Sequence, residues 1–86
     1  MDRIQKFMRR LSPKMYAVVR RAYVAILENK LDQIDVTPMQ GAKNCFRCRI
    51  GDVRIVFVRM QPGVNIIVEI QYRDKAYRGL RSALRF

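Results

Sequence analysis

Arg47 and Arg49 alternate with Phe46, Cys48 and Ile50 along one extended run, and Arg54 follows just past a Gly51-Asp52 turn. Successive side chains of a strand point to opposite faces, so this spacing puts the two arginines on one side and Phe46, Cys48 and Ile50 on the other. Adjacent arginines repel, and a surface that needed only solubility would mix Lys, Glu and Thr. A face of this kind suits a polyanionic partner. The Cys45-x-x-Cys48 pair does not add a second chemistry, because three strand residues span about 10 Å and the two side chains face opposite ways, which fits neither a disulfide nor shared metal ligation. With no His and no further Cys in the chain, a zinc site would lack ligands, so neither a metal nor another cofactor is expected.

The charge of the whole chain points the same way. Lys and Arg number 18 against 7 Asp and Glu, a formal +11 over 86 residues, well beyond what solubility requires. Eight of the cations lie in residues 1–30, five in 43–59 and five in 73–86, so the excess belongs to a folded surface and not to a basic tail. Nucleic acid, an anionic membrane or an acidic protein would each meet such a surface. Neither expected helix pairs a wide apolar face with a continuous basic one, which disfavours the membrane. No apolar run approaches the length of a transmembrane helix, and charges at Asp2, Arg3 and Lys6 precede no signal-peptide core, which implies the cytoplasm. The length implies a single domain, residues 1–86, whose small core buries about 60 to 65% of the surface that the unfolded chain exposes.

The elements that must carry these arginines are legible as two periodicities. Ile4, Phe7, Met8 and Leu11 recur at helical spacing and predict a short amphipathic helix over 2–11. Ser12 is a good N-cap and Pro13 suits a first helical position, so a second helix starts there and fades near Asn29. Its expected core stripe is Met15, Val18, Val19, Ala22, Ile26 and Leu27. Residues 30–43, with Pro38 and Gly41, predict a connection without regular structure. The pattern then changes to strands at 44–50, 53–60 and 64–72, joined by tight turns and therefore antiparallel. The last residues begin as a turn and predict a short helix with Leu80, Ala83 and Leu84 inward and Arg78, Arg81 and Arg85 outward. The expected architecture is an α+β domain, two N-terminal helices packed on a sheet of three or four antiparallel strands.

Lys6-Phe7, Leu11-Ser12-Pro13, the strand Asn44-x-Phe46-Arg47-x-Arg49, the run Gly51-Asp52-x-Arg54-Ile55-Val56-Phe57 and the ending Arg73…Tyr77-Arg78 resemble toxins of the RelE/ParE toxin–antitoxin superfamily. Each motif is short and degenerate, but their order and spacing cover nearly the whole chain. The RelE-like branch is similar in cutting messenger RNA in the ribosomal A site, without metal, by attack of a ribose 2′-hydroxyl on the adjacent phosphate. The resemblance thus implies an endoribonuclease (mRNA interferase) fold, messenger and ribosomal RNA as partners, and a cognate acidic antitoxin that holds the toxin inactive.

Carried over by position, the resemblance gives Arg47 and Arg49 as the two strand cations, Arg54 as a phosphate-binding arginine, Arg73 as the arginine after the last strand and Tyr77 as the C-terminal tyrosine. Arg54 and Arg73 would hold the scissile phosphate, Arg47 and Arg49 would offset developing charge, and Tyr77 would stack on a base or exchange a proton. Lys43, Arg47, Arg49, Arg78 and Arg81 are the cations expected against RNA. The attack builds negative charge on five-coordinate phosphorus, which guanidinium forks stabilise through charge-assisted hydrogen bonds.

Two departures qualify the resemblance. Well-known ribonuclease members carry lysines where Arg47 and Arg49 stand, and arginine stays protonated, which makes it a poor general base. Either Tyr77 takes that part or the chain relies on orientation and electrostatics, with slower cutting. Many relatives also open with a strand that has no counterpart before Asp2, which would leave a sheet edge open to an antitoxin segment or a second copy. Structural alternatives stand beside each role: an ion pair of Arg54 with Asp52, Glu69 or Asp74, a solvated face for Arg47 and Arg49, a turn pair of Arg73 with Asp74, and core capping by Tyr77. Two other functions also fit the sequence. One is a ParE-like inhibitor of DNA gyrase, which needs no arginine set, and the other is a catalytically weak relative that binds RNA or antitoxin.

Overall fold

Ser12 begins the second of two helices. In a computed structural model that describes residues 3–72, α1 (Arg3–Arg9) is followed by α2 (Pro13–Leu27). The Ser12 hydroxyl accepts the Met15 N–H at 3.2 Å with Pro13 at the first helical position, the arrangement that satisfies an otherwise orphaned donor. At its other end α2 closes on Asn29, whose φ of 57° allows Lys30 N–H to reach Ala25 O at 2.8 Å and Asn29 N–H to reach Ile26 O at 3.1 Å. That pair of bonds is a Schellman motif with asparagine in the place usually held by glycine.

A 3₁₀ turn (Leu31–Gln33) then leads into four strands, β1 (Asp35–Pro38), β2 (Cys45–Ile50), β3 (Val53–Gln61) and β4 (Val64–Tyr72). They form one antiparallel sheet in sequence order, and the two helices pack on one face of it. The protein is an α+β fold. The core lies between α2 and that face: Val19, Ala22 and Ile26 meet Cys48, Val53, Ile55, Phe57 and Ile70, while Ile4, Phe7 and Met8 of α1 close one side.

Two sequence expectations are corrected here. Residues 35–38 are not irregular but pair with Arg49, Cys48, Arg47 and Phe46 of β2, so the sheet has a fourth strand along the β2 edge. Pro38 is compatible with it because an edge strand need not donate outward. Val18 and Leu27 are 43% and 48% exposed and do not belong to the core stripe, whereas Ala25 is buried. A helix turns about 100° per residue, so Val19 and Ile26 take the inward positions and their neighbours turn away. The small side chains of Ala22 and Ala25 let α2 approach the sheet. The short C-terminal helix expected after Asp74 lies outside the described residues.

Candidate functional site

The β2–β3 hairpin sets the geometry of the arginines. Ile50 pairs with Val53 across a two-residue turn, and Gly51 takes a φ of 56° there, a backbone state that a side chain would strain. This register puts Arg49 directly opposite Arg54 and Arg47 opposite Val56. Ile55, Phe57 and Cys48 point into the helix-side core, so Arg47, Arg49 and Arg54 share the opposite face. Directly opposed side chains on a sheet have Cβ atoms about 5 Å apart, and like charges at that separation destabilise the pair.

Arg54 is only 9% exposed. Its Nη1 donates to Gly51 O at 2.6 Å and to Val53 O at 3.0 Å. Burying a guanidinium requires such compensation, and the two carbonyls fix its orientation against the hairpin turn. Glu69, one of the carboxylates named as an ion-pair alternative for Arg54, instead lies 3.6 Å from Arg3 of α1 and accepts the Ile70 N–H at 3.2 Å. Arg49 is exposed and Arg47 half-buried.

Two rows of side chains cross this face. Asp35, Arg49, Arg54 and Gln71 occupy successive strands at the hairpin-turn end, and Thr37, Arg47, Val56 and Glu69 form the next row. Further from the turn the face becomes apolar, with Cys45 and Val56 buried among Met39, Ala42 and Val58. The arginines therefore mark one end of the face and not its whole width. Glu69 belongs to it only because β4 carries a β-bulge: Val56 faces Glu69 while Phe57 faces Ile67, leaving Val68 as an extra residue. Without that residue Glu69 would share the core side with Ile67.

Lys43 is exposed in the loop before β2 and is not on the arginine strand. Arg73, Tyr77, Arg78 and Arg81 lie outside the described residues. Gln71, Thr37 and Asp35 were not anticipated at the site; Gln71 shares the face of Glu69 through the same bulge, and Asp35 and Thr37 required the unforeseen β1.

Cys45 and Cys48 are both free and buried, Cys48 in the helix-side core and Cys45 beneath the opposite face. Burial, aided by the nearby Asp35 carboxylate, pushes the Cys48 thiol up to about 11, so it is neutral and unreactive at physiological pH. Among the described residues no cluster of His, Cys, Asp or Glu could hold a metal ion, and none of the described helices is long and apolar enough to cross a membrane.

The arrangement sets exposed Arg49, half-buried Arg47 and buried Arg54 on one face beside a hairpin turn, with amide and hydroxyl groups from Gln71 and Thr37 in the same two rows. Comparison with family models, curated proteins and solved structures gave no match to this chain.

Proposed function

We propose that this chain is a RelE-like toxin of a toxin–antitoxin pair, a ribosome-dependent endonuclease that cuts messenger RNA in the A site. The observation that carries the reading is the placement of Arg47, Arg49 and Arg54 on one sheet face, guanidinium groups of the kind that bind phosphodiester oxygens through charge-assisted hydrogen bonds. In the proposed reaction the ribose 2′-oxygen forms a bond to phosphorus and the bond to the 5′-oxygen breaks. The 2′-hydroxyl gives up its proton, the leaving oxygen gains one, and the products end in a 2′,3′-cyclic phosphate and a 5′-hydroxyl. Arg47, Arg49 and Arg54 stabilise the charge that builds on the phosphoryl oxygens. Arg73 and Tyr77 join them in this proposal as phosphate ligand and as stacking or proton-exchanging group, and an acidic antitoxin would cover the basic surface.

A second reading is favoured by one feature. Arg54 spends Nη1 on the carbonyls of Gly51 and Val53, a structural duty that a purely binding relative would also need. In that case the chain holds RNA or its antitoxin without cutting. Expression without a partner separates the readings. Endonuclease action predicts that translation stops and transcripts are cut within codons. Intact transcripts in arrested cells would remove it, DNA-damage signalling with filamentation would indicate a gyrase inhibitor, and harmless expression would support the binding module.

A further inference from the structure

The outer side of α2 carries a second basic surface that runs into the first. Tyr16, Arg20 and Arg21 of α2 line a hollow of about 520 Å³ with Glu28, Lys30 and Gln33 from the segment that follows. A second hollow of about 280 Å³ shares Arg21, Ala25 and Gln33 with it and extends to Asp35, Arg49 and Ile50. The two hollows adjoin through these shared residues, forming a paired channel along α2, and Arg49, whose row lies on the sheet face away from the helices, lines its second part.

Charge and shape together suit a phosphate backbone. Arg20, Arg21, Lys30 and Arg49 face the carboxylates of Glu28 and Asp35. Lys30 holds Glu28 at 3.3 Å, so that pair cancels and Arg20, Arg21 and Arg49 are set against Asp35. Ala17 and Ala25 lie one helical turn either side of Arg21 and line the same hollow; their small side chains leave room along its floor. Tyr16 also lines this hollow and is 41% exposed, an aromatic ring partly open to solvent in the same lining as Arg20 and Arg21. Cations that track a backbone and an open ring that can stack on a base are the combination by which single strands are held.

We propose that this channel binds single-stranded RNA, with Arg20 and Arg21 on phosphates and Tyr16 stacked on a base, so that a strand engaged at Arg49 and Arg54 continues along α2. The inference rests on reading the arginine face as an RNA site and adds a path for the strand beyond it.

The test is a salt series of binding by the full chain to fluorescent oligouridylates of two lengths, one filling only the sheet face and one long enough to run along α2. Each phosphate contact contributes about 0.7 to the slope of log affinity against log salt for single strands. The double variant R20A/R21A is therefore expected to lower the slope for the longer strand by about 1.4 and to leave the shorter strand unchanged. Tyr16→Ala is expected to weaken the longer strand about tenfold, with Tyr16→Phe restoring it. These positions are exposed, and unchanged melting temperatures show that the fold is kept. Wild-type slope and affinity in both R20A/R21A and Tyr16→Ala would overturn the proposal, as would variants that lose a polyglutamate peptide but keep RNA. Failure of the sheet-face reading looks different: Arg49→Thr would then leave the shorter strand bound as before, while the Arg20 and Arg21 effect on the longer strand would still support the channel.

Discussion

Arg49 and Arg54 face each other across the β2–β3 ladder, and like charges directly opposed on a sheet cost stability. Arg49→Thr removes both the like charge opposite Arg54 and the opposite charge facing Asp35, two effects of similar size, so stability is expected to change by less than about 0.5 kcal/mol. The same change is expected to reduce RNA cleavage about 10²- to 10³-fold, the usual loss of one oriented charge donor. Thermal melts and single-turnover cleavage on the same variant check both halves. Arg54 differs because its guanidinium anchors the turn carbonyls; Arg54→Ala is expected to cost about 1.5–3 kcal/mol, so loss of function there has two causes and Arg49 is the cleaner probe.

Cys48 supplies a pH signature at the same scale. Its thiol is raised to about 11, above the ordinary value near 9 that the unfolded chain would show. Between those two values the unfolded state releases the proton and the folded state retains it, so stability present below about pH 9 is lost as pH rises toward 11. The loss amounts to roughly 2–3 kcal/mol. Cys48→Ala should show a shallower fall of melting temperature over that window than the native chain, and equal slopes would contradict the burial of this thiol.

At the scale of elements, Asn65 joins α2 to the sheet. It is 6% exposed on β4, and its Nδ2 donates to Ile26 O at 2.8 Å and to Asn29 Oδ1 at 3.0 Å. Its Oδ1 accepts from Arg59 Nε at 3.5 Å, and Arg59 lies over the Phe46 ring at 5.1 Å. One amide thus fastens the left-handed end of α2, the outer end of the β3–β4 hairpin and an aromatic pair. Asn65→Leu leaves these partners unsatisfied and is expected to destabilise by about 1–3 kcal/mol, read as a fall in the denaturation midpoint with an unchanged slope.

The same scale shows where a sequence is legible. Ser12-Pro13, the stripe through Val19, Ala22 and Ile26, and the alternation from Phe46 to Ile50 each follow from a period, and the helices and three long strands appear where those periods put them. Strand β1 has four residues and ends in Pro38, too short for an alternation to rise above the polar loop around it. The bulge at Val68 has no composition signal, since Ile66 to Val68 reads as one apolar run; tertiary packing of Ile67 and Ile70 on the same core fixes it. Arg47, Arg49 and Arg54 could be placed on one face in advance because the strand period and the turn determine it. The duty of Arg54 toward its own backbone could not, since a side chain's choice between a ligand and nearby carbonyls depends on burial.

For the whole molecule, the formal +11 predicts association with any RNA that weakens steeply with salt, and under the proposed function specificity would come from placement of the arginine row and the channel along α2. The most direct test incubates the purified chain with messenger RNA held on ribosomes and maps the fragment ends. The account predicts cuts inside the A-site codon with cyclic-phosphate and 5′-hydroxyl ends, slowed at least about a hundredfold by Arg49→Thr. Uncut message, or cutting that proceeds equally well without the Arg49 guanidinium, would contradict it.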